Sequence, residues 1–293
     1  MALSARHLSF SFQLAQGSFD GKGGDTAEYT GLRASVNISR AGGNSLGFAD
    51  IRIWGLPLET MNKLTVINVL AYPEMANKLV TVSAGDDING SGVCFQGTIK
   101  EAWADGSSPP DMAFHISAFT NAYQMNKPVA PMSYRGSVDA AIMLANLAAQ
   151  MNLGFENGGV TGVLADPYKP GDLGTQLNSV CRDLDCEKVI DNGVLAVWPR
   201  GQSRGGAAVQ INPDTGMVGY PAFTESGCRF RTIYNPNLAF GRPVEVKSQL
   251  DAANGTWTVA NVAHSLDAEI PGGQWFTDVE CTLLGHTLPI IGK

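Results

Sequence analysis

The sequence predicts a mainly β chain with a small α+β insertion near its middle. Apolar and polar residues alternate along several short runs, which is typical of half-buried strands. Glycine is abundant, with 34 in 293 residues, and favours turns between such strands. From about residue 125 to 200 the alternation gives way to two helical patterns. With 44% hydrophobic residues, the chain can bury a substantial core in more than one compact unit.

The first part of the chain alternates strongly, and one short helix interrupts it. Pro57 opens that helix, which we expect to carry Leu58, Met61 and Leu64 on one face. The stretch SFDGKGGDT (18–26) reads as a flexible loop. The predicted strands are residues 8–14, 32–39, 49–54, two strands around a turn at Asn89-Gly90, and 111–119.

The middle of the chain reads as two helices followed by a hairpin. Ser137 is a suitable N-cap for a helix that ends before Gly154. A second helix is expected over 174–184, and Asn192-Gly193 closes a predicted hairpin over 188–198. These patterns divide the chain into three predicted domains: 1–124, 125–204 and 205–293.

Charge and cysteine content exclude several classes of protein. The net charge is −7 and no lysine or arginine cluster occurs, so sequence-specific nucleic-acid binding is not expected. Charged residues make up only 16% of the chain, which predicts that other chains cover part of the surface. An odd number of irregularly spaced cysteines predicts reduced, buried thiols, with Cys181 and Cys186 on different faces of one helix. The five cysteines are Cys94, Cys181, Cys186, Cys228 and Cys281.

The N-terminal segment alternates and lacks the apolar run of a signal peptide. No stretch is long and apolar enough to span a membrane. We therefore expect synthesis in the cytoplasm and no membrane insertion.

Two glycine-rich segments resemble ligand-binding loops but lack the required spacing. GSFDGKG (17–23) is too short for a phosphate loop and has Gly23 where Ser or Thr is needed. DDINGSG (86–92) lacks the alternating oxygen ligands and the distant Glu of a calcium loop. Both are predicted to be plain loops that connect neighbouring elements.

No catalytic constellation is convincing. His264, Ser265 and Asp267 are neighbours on one predicted strand and cannot converge on a substrate. Glu101 and Asp105 are the paired carboxylates that a glycosidase would need, but any acidic protein has such pairs. The sequence therefore predicts no catalytic, cofactor-binding or metal-binding residue and no cofactor. The remaining candidates are three predicted structural histidines (His7, His115 and His286) and four tryptophans expected to be exposed at subunit contacts or packed in the core (Trp54, Trp103, Trp257 and Trp275).

Residues 80–119 and 244–283 look like two copies of one unit. With a one-residue gap their apolar positions agree in parity, so both copies are expected to turn the same side of a sheet inward. A weaker similarity upstream of the repeat relates IRIWGLP (51–57) and AYPEMANKLV (71–80) to RTIYNPNLAFGRPV (231–244). The aligned pairs include Val80 with Val244, Val82 with Val246, Ile99 with Val262, Ile116 with Val279, and Ala118 with Cys281.

The segments FRTIYNPNLAFGRPVEVKS (230–248) and GTWTVANVAHSLDAEIPGGQWFTDVECTLL (255–284) resemble the last domain of tail hub proteins of tailed bacteriophages. These baseplate hubs are related to the hub part of type VI secretion spikes. The matching positions are Asn235, Pro236, Gly241, Val244, Val246, His264 and Asp267. The resemblance implies two tail-tube-like antiparallel β-barrels with a smaller domain between them.

The resemblance further implies a structural virion protein, not an enzyme: a homotrimeric hub that joins the sixfold tail tube to the threefold spike. Its expected partners are the tail tube protein, a spike or tip protein, the tape measure protein and genomic DNA, which passes through the lumen without sequence-specific binding. Its expected place is the tail tip or baseplate of the virion. Two rivals remain open: a hexameric tail tube or distal tail protein, and a β-rich cell-wall hydrolase or carbohydrate-binding protein.

Overall fold

Strands dominate the backbone, as the sequence predicts. They take up 49% of the chain in the computed structural model, against 15% for helices, which confirms the mainly β class. The structure describes residues 5–40, 42–67, 77–88, 90–107 and 109–283.

The described residues form two compact units, each assembled from separate stretches of the chain. The first unit comprises Met1–Ser39, Gly47–Tyr123 and His264–Phe276. The second comprises Arg40–Leu46, Gln124–Ala263 and Thr277–Lys293. The division into domains 1–124, 125–204 and 205–293 stays a prediction.

In its described residues, the first unit is an antiparallel sheet that carries helix α1 (Leu58–Leu64). Its sheet order is β3-β4-β7-β6-β5-β1-β2, and β19 of the C-terminal hairpin lies beside β3. The short strand β2, which lies at the edge, was not among the predicted strands. The strands are β1 (Arg6–Gln13), β2 (Thr26–Thr30), β3 (Ala34–Arg40), β4 (Phe48–Trp54), β5 (Leu79–Asp86), β6 (Gly90–Asp105), β7 (Ala113–Phe119) and β19 (Gly255–Ala268).

Alternation along β1 shows how this sheet separates its two faces. Leu8, Phe10 and Phe12 are buried, while the polar residues between them are more exposed. In α1, Met61 and Leu64 are buried as predicted, but the prediction for Leu58 is wrong because its side chain is exposed. Thr60 is buried instead, and its hydroxyl lies 2.5 Å from the Tyr29 hydroxyl of β2. The predicted turn at Asn89-Gly90 falls partly outside the described residues, since Asn89 is not among them.

The second unit combines a β sheet with a small α+β part. The sheet order is β16-β17-β20-β19-β18-β15, and β15 runs parallel to β18. The α+β part has a three-stranded sheet in the order β10-β14-β13 and two short strand pairs, β11-β9 and β12-β8. The helices are α2 (Ala122–Met125), α3 (Ala140–Gln150) and α4 (Leu173–Asp183). The strands are β8 (Met132–Ser133), β9 (Ser137–Asp139), β10 (Gly154–Asn157), β11 (Val163–Ala165), β12 (Tyr168–Lys169), β13 (Cys186–Asp191), β14 (Val194–Pro199), β15 (Val209–Ile211), β16 (Met217–Thr224), β17 (Gly227–Ile233), β18 (Pro243–Val246) and β20 (Trp275–Leu283).

Both predicted central helices exist, but the first begins later than predicted. Ser137 is not the N-cap, because it lies in β9, and the Asp139 side chain accepts a hydrogen bond from the Ala141 amide instead. Asp172 caps α4 in the same way, accepting from the Thr175 amide at 2.7 Å. The predicted hairpin forms between β13 and β14, with Asn192 and Gly193 both at positive φ, the conformation that a tight two-residue turn requires.

The predicted repeat has a structural counterpart. The segments β5-β6-β7 and β18-β19-β20 each consist of a strand, a longer strand and a third strand. In each segment the three strands are hydrogen-bonded neighbours in chain order. The aligned apolar positions are buried in both copies, which confirms their predicted parity. The strand orders end at β2 in the first unit and at β15 and β16 in the second, and no pairing between described residues closes either order into a barrel. The weaker similarity predicted for residues 71–80 lies mostly outside the described residues.

Candidate functional site

The Asn-Pro turn between β17 and β18 is held by its own side chains. Asn235 Oδ1 accepts a hydrogen bond from the Asn237 amide at 3.0 Å. The Asn235 amide donates to Thr277 Oγ1 at 3.2 Å. Leu238, inside the turn, is fully buried. The turn is therefore a fixed structural feature of the second unit and not an open loop.

Gly241 ends this turn at a position that only glycine fits. Its φ is +80°, in the left-handed region. A Cβ there would lie 2.4 Å from Trp198 Cζ2. The Gly241 amide donates to the Val259 carbonyl at 2.8 Å, and its carbonyl accepts from the Arg204 amide at 2.7 Å. Gly241 thus joins β19 and the segment after β14 through its backbone.

The other positions of the hub-like pattern also have structural roles. Val244 and Val246 are fully buried in the core of the second unit. His264 is buried on β19, whereas Ser265 and Asp267 lie on the opposite side of the same strand, so the three cannot form a triad. Asp267 Oδ2 accepts from the Gln274 amide at 2.7 Å and so closes the turn between β19 and β20.

A network of ion pairs in the second unit was not predicted from the sequence. Arg204 forms a two-point hydrogen bond to Glu156, with Nε to Oε1 at 3.1 Å and Nη2 to Oε2 at 2.9 Å. Asp191 lies between two arginines, 3.5 Å from Arg40 Nη1 and 3.6 Å from Arg204 Nη1. Hydrogen bonding from Arg204 outweighs partial burial and lowers the pKa of Glu156. These residues are far apart in sequence and follow no spacing rule, so no sequence pattern could have found them.

The outer face of the first unit carries the aromatic and acidic candidates. Trp103 is partly exposed and stacks on His115, with ring centroids 5.3 Å apart. Hydrogen bonds from the Ser107 backbone and side chain lower the pKa of Asp105. A glycosidase acid needs a raised pKa, which is opposite to the direction found for Asp105.

Two of the four tryptophans pack in the core, which is one of the two roles predicted for them. Trp257 and Trp275 are buried, because their strands turn them into the interior. Trp54 is half-buried under Arg33, whose guanidinium lies 4.5 Å from the ring centroid. His7 lies 2.6 Å from Asp87 near the surface, and His286 is outside the described residues.

The rejected loop motifs use their acidic groups locally. Asp20 Oδ1 accepts from the amides of Lys22 and Gly24 at 2.8 and 3.0 Å. Asp86 Oδ1 accepts from the Ile88 amide at 2.8 Å. No group of three or more His, Cys, Asp or Glu residues in the described part of the chain could hold a metal ion.

All five cysteines lie among the described residues, are buried and form no disulfide. The prediction for Cys181 and Cys186 is wrong in its geometry, because Cys181 lies on α4 and Cys186 begins β13. Their thiols interact, and the hydrogen bond with Cys186 and burial together raise the pKa of Cys181. Among the described helices, none has the length and apolar character needed to cross a membrane.

In the comparison with protein families, a family model described as baseplate hub gp41 matches residues 18–272. No curated protein sequence matches the chain.

Solved structures of similar fold are phage tail and secretion proteins with very low sequence identity. The E. coli c3393 protein, a type VI secretion component described as similar to the T4 tail proteins gp27 and gp5, has a TM-score of 0.60 at 8% identity over 89% of this chain and 78% of its own. A tail protein from Neisseria meningitidis has a TM-score of 0.61 at 9% identity over 94% and 96%. The Francisella PdpA-VgrG complex has a TM-score of 0.59 at 5% identity over 98% of this chain and 59% of that chain. These likenesses establish a shared fold.

Proposed function

Because the chain belongs to the baseplate hub gp41 family, with residues 18–272 matched, we propose that it is the trimeric hub that joins the sixfold tail tube to the threefold spike. The family gives it a structural role in the phage tail, and no catalytic family matches. The family match is the observation that carries this proposal. We propose that the chain is located in the baseplate of the virion.

The internal repeat supports a trimer as the arrangement that matches these two symmetries. Each chain contains two three-strand segments with the same order and the same buried positions. Three chains would therefore present six similar segments to a sixfold ring and three equal faces to a spike. In this assembly each copy would form a tail-tube-like barrel, and neighbouring chains would cover the strand edges that each unit leaves open.

The edge strand β16 is the best candidate for such a contact. It pairs only with β17 among the described strands. Tyr220 and Phe223 on β16 are 64% and 54% exposed, and Val218 is 40% exposed. Large apolar side chains on an open strand edge favour pairing with another chain. Strand β2 offers a second edge, in the first unit.

Net charge supports a conducting role in this assembly. The chain carries a formal charge of −7. If acidic groups line the lumen of the trimer, they repel DNA phosphates, and DNA passes without adhering. A density map of the assembly with a basic channel wall would contradict this part of the proposal.

The proposed partners are the tail tube protein on one side and a spike or tip protein on the other, with the tape measure protein inside the tube. A similar solved structure contains VgrG bound to PdpA. By analogy of fold, this chain would bind a spike protein of its own virion.

The oligomeric mass of the purified full chain tests the proposal. Native mass spectrometry or light scattering over a concentration series should show three times the chain mass of 31.0 kDa. A hexamer would favour the tail tube or distal tail protein, and a monomer with wall-lytic activity would favour the hydrolase. Imaging intact tails with a labelled chain should place it at the tip, and label along the whole tube would contradict the hub.

A further inference from the structure

A polar cleft of about 650 Å³ opens in the second unit beside the Asn-Pro turn. Five charged residues line it: Arg40, Arg204, Arg242, Glu156 and Asp191. Three guanidinium groups against two carboxylates leave the lining with one excess positive charge. This excess stands out in a chain whose net charge is −7.

Arg204 has one donor group without a matched acceptor. Its side chain is only 5% exposed. Glu156 accepts from Nε and Nη2, but Nη1 has no hydrogen-bond acceptor in the part of the chain that the structure describes. The nearest carboxylate oxygen, on Asp191, is 3.6 Å away and is beyond good hydrogen-bond geometry. Nη1 is itself sealed from solvent, so Arg204 adds a fixed positive charge beside the cleft, and a ligand would contact the partly exposed Arg242 instead.

Arg242 provides the second cation. No carboxylate of the described residues lies within ion-pair distance of its guanidinium, although its field contributes to lowering the pKa of Glu156, after the larger effect of Arg204. A Cβ on Gly206 would lie 2.6 Å from Arg242 Nη1. Glycine at 206 therefore leaves the space that this guanidinium occupies at the cleft wall.

We propose that this cleft binds one carboxylate group, which pairs with the guanidinium of Arg242. One monoanion balances the single excess charge of the lining, whereas a phosphate group carries about −1.5 to −2 and would leave a buried negative charge. The planar carboxylate also suits the donor geometry of guanidinium groups. The carboxylate comes either from a free small acid or from an acidic side chain of a protein. This proposal does not depend on the hub function.

Thermal unfolding of the full chain tests the site with three probes: sodium acetate, a capped tetraglutamate peptide and sodium phosphate, each compared with sodium chloride at equal ionic strength. A tenfold excess of a carboxylate over its dissociation constant should raise the midpoint by about 2 °C. Arg242→Gln should lose this shift. The matched control Arg229→Gln removes the same charge from an exposed position on β17 and should keep it.

Each outcome bears on the proposal. A shift present in the wild type and Arg229→Gln but absent in Arg242→Gln supports it. A larger shift per carboxylate with the peptide then identifies a protein side chain as the source, and equal shifts identify a free acid. An undiminished shift in Arg242→Gln would show that the effect is a general salt effect and would overturn the proposal. A phosphate shift as large as that of acetate would overturn the carboxylate class. No shift with any probe would show that the cleft does not bind a carboxylate.

A second measurement covers the case in which Arg242→Gln does not fold. Crystals of the wild-type chain soaked in 4-bromobenzoate, which does not alkylate side chains, should show an anomalous bromine peak inside the cleft near Arg242. The absence of that peak at full occupancy of other 4-bromobenzoate sites would overturn the proposal.

Discussion

At the residue scale, the hub-like pattern consists of positions that shape the backbone. Gly241 has positive φ and lies against Trp198, and Asp267 closes a hairpin. The sequence identified these positions but not their reasons, because a clash with a residue 43 positions away (241 against 198) is set by the tertiary fold. The ion pairs of Arg204 and Asp191 were missed for the same reason.

Replacing Gly241 with Ala should destabilise the second unit by about 2–4 kcal/mol, since the new Cβ adds left-handed strain and a contact 2.4 Å from Trp198. Gly205→Ala is the matched control, because Gly205 has φ +87° and nothing within 4 Å of the added Cβ. It should cost only about 1 kcal/mol. Urea unfolding followed by tryptophan fluorescence measures both, and equal losses would show that Trp198 can move aside.

At the element scale, strands with long alternating runs could be predicted from the sequence. Short strands and the exact start of a helix could not. Strand β1 was found because three apolar residues alternate along it, whereas β2 (TAEYT) is short and offers no such run. The start of α3 was misplaced because Ser137 and Asp139 are both good caps, and pairing of β9 with β11 decides between them. Leu58 was misplaced because helical spacing alone does not show how far the buried face of a seven-residue helix extends.

The cap of α4 can be tested directly. Asp172→Ala should cost about 1 kcal/mol, because the Thr175 amide loses its acceptor, while Asp172→Asn should be nearly neutral. Hydrogen bonds from Thr175 hold the pKa of Asp172 below 3.8. Its contribution is therefore complete above pH 3.8 and is lost as the pH falls through the lowered folded-state value. Unfolding curves of wild type and Asp172→Asn should diverge only in that acid range, and a constant difference at all pH values would contradict the assignment.

At the scale of the whole molecule, composition indicated a covered surface and the structure shows an edge that a second chain could cover. Only 16% of the residues are charged, and β16 leaves Tyr220 and Phe223 exposed. No pairing among the described residues closes either of the two predicted barrels, so the barrels stay predictions. Alternation along a strand does not show which strand it pairs with, so this part of the fold could not follow from the sequence.

Phe223→Glu should reduce self-association at least tenfold without changing the far-ultraviolet circular dichroism, because it places a charge on the proposed contact edge. Val163→Glu is the control, since Val163 is 68% exposed on β11, which pairs with β9 in a separate two-stranded sheet. Sedimentation of both variants over a concentration series measures the effect. Equal weakening by both substitutions would show that β16 is not the specific contact.

The first unit includes residues His264–Phe276, which begin 141 positions after Tyr123 (264 − 123). During translation its early strands leave the ribosome long before this piece is made. The N-terminal sheet therefore stays incomplete until the ribosome has passed residue 276. A premature stop after residue 263 would truncate both units at once, so we expect the proteases of the cell to remove that product.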